Sequence, residues 1–247
     1  EKLPVDIYRT PEDASKAVAR RIADLIRSKP SKCVLGLATG STPTAVYEEL
    51  IRLHKEEGLS FANVITFNLD EYYPMEKTQI QSYHRFMHES LFDYIDIPKE
   101  NIHIPDGMVP LEQTEAHCKE YDAAIQAAGG LDFQLLGIGK TGHIGFNEPG
   151  SQKNSKTRVV ELDRVTRIDA ASDFFGIEYV PHQAMTMGIS SIMSAKEVVM
   201  MAFSESKSRI IAKMAEGDVT PSIPASYLQV HTNARVVIDE SASSELT

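Results

Sequence analysis

The sequence has few cysteines and no long apolar run. Its two cysteines, Cys33 and Cys118, lie far apart and match no metal-binding or redox spacing. We therefore predict two buried free thiols in a reducing cytoplasm and no disulfide framework. No apolar stretch reaches membrane-spanning length, and the first 25 residues lack a signal-peptide core. These absences predict a soluble cytoplasmic protein with no membrane partner.

An excess of positive charge is also lacking. The 247 residues include 25 Lys and Arg against 35 Asp and Glu, which gives a formal net charge of −10. Binding to nucleic acid needs a clustered basic face, so this charge argues against a nucleic-acid partner. A metal site is not predicted either, because no ligand spacing joins most of the histidines: His84, His88, His103, His117, His182 and His231.

Short apolar runs alternate with helical patterns along the chain. Near-continuous apolar strands separated by helices of about 10–15 residues are typical of a mainly parallel sheet covered on both faces. We predict a single α/β domain over 1–247, a three-layer αβα fold with an open, mainly parallel, Rossmann-like sheet. The predicted strands are 32–38, 63–67, 132–137, 184–187, 197–203 and 235–238, and the predicted helices are 43–57, 82–94, 112–128 and 206–216.

Four loops of this predicted fold contain most of its unusual polar chemistry. They are 39–43, 68–74, 137–150 and 204–207, and each follows a strand. Ligands of open α/β sheets bind at the carboxyl ends of the strands. We therefore expect these loops to converge on one site.

The segment 137–150 is the most unusual of the four loops. It follows a strand-like apolar run and contains five glycines, one histidine and one glutamate. Glycines in a tight turn after a strand let backbone N–H groups approach a ligand closely. The segment is therefore a candidate active-site loop.

Two nucleotide-binding motifs match parts of this loop. Gly-Lys-Thr at 139–141 is similar to the end of a Walker A loop, but Gln134 occupies the position of that motif's first glycine. The pattern G-x-G-x-x-G is satisfied at 137–142, yet the turn-forming segment 147–151 follows where a dinucleotide site needs a helix. Both nucleotide interpretations therefore fail on their context.

Titratable side chains in the loops suit proton transfer. His143 and Glu148 form a pair that can move protons near neutral pH. Asp70, beside Glu71, follows the strand 63–67 and is a candidate general base. The alternatives left open are a hydrogen-bonded structural histidine and a carboxylate that only caps a helix or a turn.

The loop 39–43 has the features of an anion site. Thr42 is predicted as a helix N-cap, with Pro43 at the first helical position. Free N–H groups, hydroxyls and the positive helix end favour phosphate, although a plain capped turn is the alternative. Lys207, at the start of another helix after another strand, favours the anion site. With the proton carriers above, this predicts chemistry on a phosphorylated small molecule, such as proton abstraction next to a carbonyl or hydrolysis.

Three strings in these loops are similar to one known enzyme family. They are LATGSTP at 37–43, FNLDEY at 67–72 and GHIGFNEP at 142–149. These strings resemble those of the glucosamine-6-phosphate deaminases, and the similarity covers about 5–240. The last string is the most specific. The related 6-phosphogluconolactonases share the glycine-rich loop and its histidine but usually not the Phe-Asn-Glu-Pro continuation.

The resemblance implies an enzyme of amino-sugar catabolism that converts glucosamine 6-phosphate and water to fructose 6-phosphate and ammonia, with no cofactor. It implies that His143, supported by Glu148, opens the sugar ring by moving the O5 and O1 protons. Asp70 would then carry a proton from C2 to C1 through an enolamine. The residues predicted to bind the phosphosugar substrate are Gly40, Ser41, Thr42, Gly137, Gly139, Thr141 and Lys207.

Two positions depart from the pattern of the resembled family. Thr141 stands where many members carry a carboxylate, and a threonine cannot stabilise an imidazolium with a charge. Asp173 stands where many members place a phosphate-contacting arginine. An aspartate there would repel phosphate, so Arg164 and Arg167 are candidates for the replacing cation.

Two other functions stay open as alternatives, a 6-phosphogluconolactonase-like hydrolase and a non-catalytic sugar-phosphate sensor. The Phe-Asn-Glu-Pro string argues against the first, and the joint presence of three proton-transfer residues argues against the second. Some relatives are activated by N-acetylglucosamine 6-phosphate, but Val160 replaces a lysine common in that allosteric site, so we expect no such activation. Hexamers and monomers both occur among relatives, which leaves a homo-oligomer open.

Overall fold

The apolar runs form the strands of a seven-stranded parallel sheet in the computed structural model, which describes residues 3–247. The order across this sheet is β1-β10-β9-β6-β2-β3-β5, and every neighbouring pair is parallel. The strands of the described chain are β1 (Val5–Tyr8), β2 (Cys33–Leu37), β3 (Val64–Asn68), β4 (Asp70–Tyr73), β5 (Ile102–His103), β6 (Phe133–Leu136), β7 (Arg158–Glu161), β8 (Gln183–Thr186), β9 (Val198–Ala202) and β10 (Ala234–Asp239).

Helices cover both faces of this sheet. The longest, α1, begins after Thr10, whose side chain accepts a hydrogen bond from the Asp13 amide, and its buried residues recur at the spacing of one helical face. The α-helices are α1 (Pro11–Ser28), α2 (Ser41–Glu57), α3 (Tyr83–Ser90), α4 (Thr114–Ala127), α5 (Arg164–Ala170), α6 (Ile189–Met193) and α7 (Ser208–Glu216).

Two hydrophobic cores lie between the sheet and its helices. One joins α1, α2 and α3 to the sheet, and the other joins α4, α6 and α7 to the opposite face. Strands β2 and β9 are buried at every residue, as strands covered on both faces must be. The predicted three-layer, mainly parallel, Rossmann-like single domain is confirmed.

A second sheet, which the sequence did not indicate, lies beside the first. It has the order β4-β8-β7 and is antiparallel throughout. The prediction of a loop over 68–74 is therefore wrong, because Asp70–Tyr73 pairs with Gln183–Thr186. The strand predicted at 184–187 exists but belongs to this small sheet. Acidic and aromatic residues pair here against a neighbour far along the chain, which local patterns do not reveal.

Three of the four predicted helices are shorter in the structure than predicted, whereas the helix predicted at 43–57 is two residues longer and begins at Ser41. The segment 82–94 is helical only to Ser90 and continues as a 3₁₀ turn, and 206–216 begins as a 3₁₀ turn before Ser208. Such tightened ends are common at helix termini. Across residues 3–247, the helices are too short or too polar to cross a membrane.

Candidate active site

The candidate site lies where the order of the parallel sheet reverses direction. From β2 the chain continues to β3 and β5 on one side, whereas from β6 the next strand of the sheet is β9 on the other side. The loops after β2 and β6 therefore diverge and leave a crevice at the carboxyl ends of the strands. These are the loops 38–40 and 137–145, two of the four that the sequence predicted to converge.

Helix α2 presents its N-terminus at this crevice. Its N-cap is Gly40, with φ of 98°, and the helix begins at Ser41. The prediction of Thr42 as N-cap is therefore wrong, because the positive φ of Gly40 turns the chain into the helix two residues earlier. Pro43 is then the third helical residue and not the first. No side chain within residues 3–247 caps this end, so its first N–H groups are available to an anion.

Lys207 joins the N-terminus of α7 to the glycine-rich loop. It follows β9 and precedes Ser208, and its ammonium group donates a hydrogen bond of 2.8 Å to the Ile138 carbonyl. Burial lowers the pKa of Lys207, although the charge of Asp169 opposes the change. A half-buried cation at the crevice suits a phosphate or another anion.

His143 is held by one edge of its ring. Nδ1 lies 3.0 Å from Oγ1 of Thr141 and 3.3 Å from Oε2 of Glu148. Within residues 3–247, Nε2 makes no hydrogen bond, so this nitrogen is available to a ligand. A Cβ at Gly139 would lie 2.0 Å from the imidazole, so only glycine at that position lets the ring pack against the backbone. Gly137, by contrast, has open space beside it.

Glu148 is fixed from two further directions. Its Oε1 accepts hydrogen bonds from the Thr166 hydroxyl at 2.5 Å and from the Asp163 amide at 3.2 Å. Burial would raise the pKa of Glu148, but the hydrogen bonds with His143 and Thr166 outweigh it and hold the pKa below its ordinary value. Glu148 is therefore an ionised partner for the imidazole. Thr166 could not be recognised from the sequence, because a lone threonine in a helix belongs to no motif.

Asp70 begins β4, opposite the glycine-rich loop. A Cβ at Gly145, where φ is 56°, would lie 3.5 Å from Oδ2 of Asp70, so the two segments touch. Burial, with a smaller contribution from the charge of Glu71, raises the pKa of Asp70 to about 8. Its carboxyl group makes no hydrogen bond to any residue in 3–247. Asp70 is thus a buried carboxyl group that can hold or release a proton near neutral pH.

The neighbouring acid, Glu71, has a structural role. It accepts hydrogen bonds from the Ser82 hydroxyl at 2.8 Å and from the amides of Tyr83 and His84 at 3.1 and 3.0 Å. These bonds tie β4 to the first turn of α3. Of the two adjacent acids, one therefore has the capping role that the sequence left open, and the other is free for chemistry.

The segment after α5 differs from what a phosphate site would need. Asp173 is exposed, and the guanidinium of Arg167 donates to the backbone carbonyls of Ile177 and Val180 at 3.0 and 3.3 Å. Arg167 is thus committed to holding its own loop, whereas Arg164 is exposed at the first residue of α5. Within residues 3–247 no cluster of three His, Cys, Asp or Glu side chains could hold a metal ion.

Comparison of the sequence with known protein families identifies the family of this chain. The family model for glucosamine-6-phosphate isomerases and 6-phosphogluconolactonase matches residues 9–238. The chain belongs to this family. The resemblance inferred from the three loop strings is thereby confirmed.

Individual relatives of this family cover the chain almost completely. A glucosamine-6-phosphate deaminase-like protein of Bacteroides thetaiotaomicron is 47% identical over 250 residues, which are 100% of this chain but 38% of that relative's length. A protein of Giardia intestinalis named glucosamine-6-phosphate deaminase 2 is 49% identical over 236 residues, covering 95% of this chain and 88% of its own. A solved structure of a monomeric glucosamine-6-phosphate deaminase has a TM-score of 0.94 and 43% identity, covering 98% and 99% of the two chains.

Proposed function

We propose that the chain is a glucosamine-6-phosphate deaminase, which converts glucosamine 6-phosphate and water to fructose 6-phosphate and ammonia. The observation that carries this proposal is the presence of an oriented imidazole and a separate buried carboxyl group at the same crevice. His143 is oriented by Glu148, and Asp70 faces the same loop. Relatives named glucosamine-6-phosphate deaminase, each nearly half identical to this chain, support this reaction over the lactonase alternative.

Ring opening falls to His143 in this proposal. Nδ1 is engaged by Thr141 and Glu148, which leaves Nε2 to move a proton between the ring oxygen O5 and the hydroxyl O1. The ionised Glu148 stabilises the imidazolium that forms when His143 takes a proton. The hydroxyl of Thr141 adds a polar contact without a charge.

Isomerisation falls to Asp70. The open-chain aldose carries its acidic proton on C2, and one carboxylate above the C1–C2 bond can remove this proton and return it to C1. A pKa of about 8 makes Asp70 a stronger base than an ordinary carboxylate once it is ionised. The enolamine formed in between collapses to a ketose imine, which water converts to the ketone with loss of ammonia.

Phosphate binding falls to the N-terminus of α2 together with Lys207. The uncapped amides after Gly40 and the hydroxyls of Ser41 and Thr42 supply donors, and Lys207 supplies a full positive charge. Holding the phosphate at this end keeps C1 and C2 in register with Asp70. The binding roles of Gly137, Gly139 and Thr141 are part of this proposal, as is a place in cytoplasmic amino-sugar catabolism.

One assay tests the proposal. The protein is incubated with glucosamine 6-phosphate, and ammonia and fructose 6-phosphate are measured together. We expect both products in equal amounts. Binding of the phosphosugar without ammonia would support a sensor, whereas hydrolysis of 6-phosphogluconolactone in place of ammonia release would support a lactonase.

A further inference from the structure

The proposed phosphate site has too little positive charge for its ligand. A sugar phosphate carries close to two negative charges near neutral pH, and a helix N-terminus offers the equivalent of about half a positive charge. Lys207 adds one full charge and is held by the Ile138 carbonyl. A second cation beside Lys207 would balance the phosphate.

Lys140 lies next to this position. It is two residues beyond Ile138 in the glycine-rich loop, and its ammonium group lies 2.7 Å from Oδ1 of Asp169 in α5. The charges of Asp169 and Lys140 both act on the pKa of Lys207, in opposite directions, although burial of Lys207 has the larger effect. Lys207 is bound to the Ile138 carbonyl and Lys140 follows two residues later in the same loop, so the three charged groups lie at one end of the crevice.

Helix α5 borders the crevice through the same face that carries Asp169. Thr166, three residues earlier, hydrogen-bonds to Glu148, and residues three apart share a helix face. Asp169 therefore faces the glycine-rich loop beside the partner of His143.

We propose that Lys140 is the second cation of the phosphate site and that it exchanges Asp169 for the substrate phosphate when the sugar binds. This inference rests on the proposed function. The side chains of Lys140 and Asp169 are 59% and 38% exposed, and an ion pair in that setting contributes little to stability, so its loss costs little. A phosphate with two charges is the stronger partner for an ammonium group. Lys140 thereby takes the role that the sequence offered to Arg164 or Arg167.

The first test removes the cation. Lys140→Met should raise KM for glucosamine 6-phosphate about tenfold and leave kcat nearly unchanged, because the lost contact is equal in the ground and transition states. Lys140→Arg should restore most of the affinity. The matched control is Lys153→Met, which removes an exposed lysine from the segment after the loop and should leave KM unchanged.

The second test removes the competitor. Asp169→Asn should lower KM by about twofold to fivefold, because Lys140 is then free before the substrate arrives. The same change made in the Lys140→Met protein should have no effect, since nothing remains to be released. An equal change in KM on Asp169→Asn in the wild-type and Lys140→Met proteins would overturn the proposal that Lys140 exchanges Asp169 for the phosphate.

Inorganic phosphate separates this inference from the proposed function. Its binding is followed by calorimetry, which needs no turnover, and Lys140→Met should weaken it about tenfold. If the protein releases no ammonia but Lys140→Met still weakens phosphate binding, the deaminase proposal fails and the cation assignment stands. Unchanged phosphate affinity in Lys140→Met, or a loss in Arg164→Ala of the size expected for Lys140→Met, would overturn the assignment.

Discussion

The two carboxyl groups of the site lie in opposite surroundings. Glu148 accepts hydrogen bonds from a hydroxyl and an amide and faces an imidazole, whereas Asp70 is buried with no hydrogen bond in the described chain. The pKa of the first is held below its ordinary value, and that of the second is raised to about 8. Two acids of similar chemistry are thereby separated into a fixed negative charge and a proton carrier.

The difference comes from the elements that hold them. Glu148 lies in the glycine-rich loop after the parallel sheet and is met by α5, which supplies polar partners. Asp70 lies on the antiparallel sheet, where its neighbour Glu71 takes the polar partners from α3. Environment, more than residue type, assigns the two roles.

The largest expected effect is on Asp70. Asp70→Asn should lower kcat by about 10²–10⁴-fold, because the amide cannot carry the proton. It should also raise the free energy of unfolding at pH 7 by up to about 4 kcal/mol, since the unfolded chain no longer gains from ionising this group. Ammonia release and thermal unfolding measure the two effects. Asp218→Asn, at an exposed position, is the control, and equal activity in the two variants would end the role of Asp70 as proton carrier.

The next largest effect is on Glu148. Glu148→Gln should lower kcat/KM by about 10–100-fold, because the imidazolium of His143 loses its charged partner. Thr166→Val should cost less, since it removes one hydrogen bond and keeps the charge. The comparison is made by steady-state kinetics on both variants. A larger loss in Thr166→Val than in Glu148→Gln would show that position, and not charge, is what Glu148 provides.

The pH dependence of stability should differ in sign between the two acids. The raised pKa of Asp70 means that the folded state keeps a proton that the unfolded chain loses, so its contribution falls by up to about 1.4 kcal/mol per pH unit between about pH 4 and 8. The lowered pKa of Glu148 gives stability that is present above about pH 4.5 and lost as the pH falls. Urea unfolding of wild type, Asp70→Asn and Glu148→Gln across this range measures both trends. If the free energy of unfolding changed with pH in the same way in all three proteins, the predicted difference between Asp70 and Glu148 would be wrong.

The smallest effect concerns Thr141. Its hydroxyl lies 3.0 Å from Nδ1 of His143, so Thr141→Asp would place a second negative charge beside the imidazole. We expect the pKa seen in the kcat/KM profile to rise, because the added negative charge favours a protonated imidazole. Thr141→Asn, of similar shape but neutral, is the control. An unchanged profile in Thr141→Asp would remove Thr141 from the site's electrostatics.

Patterns in the sequence were sufficient for five of the seven strands of the large sheet, whereas its two edge strands, β1 and β5, were not predicted. Strands such as 32–38 and 197–203 are apolar at nearly every residue, and burial on both faces makes them recognisable without a partner. The small sheet was missed because its strand Asp70–Tyr73 begins with two acidic residues, which are uncommon in strands. Its pairing with Gln183–Thr186 spans more than a hundred residues, and no local signal reports it.

The candidate site, like the fold, could be predicted only in part from the sequence. The glycine-rich loop and the loop after β2 were recognised from motifs, and the structure brings Asp70 beside His143's loop as expected. The N-cap at Thr42 was wrong, because the backbone of Gly40 and not a side chain decides where α2 begins. The contact between Thr166 and Glu148 and that between Lys140 and Asp169 needed coordinates, since long-range polar pairs have no fixed spacing.

A single residue, Leu69, separates the large sheet from the small one. Its amide donates to the Leu37 carbonyl at 3.0 Å, and its own carbonyl accepts from the Met187 amide at 2.7 Å. Successive residues of a strand point to opposite faces, so adding or deleting one residue here would turn Asp70 away from the crevice. The number of residues between β3 and β4 therefore determines whether the Asp70 side chain points into the crevice. An insertion at Leu69 would therefore keep every site residue in the sequence and still remove the proposed proton carrier from the crevice.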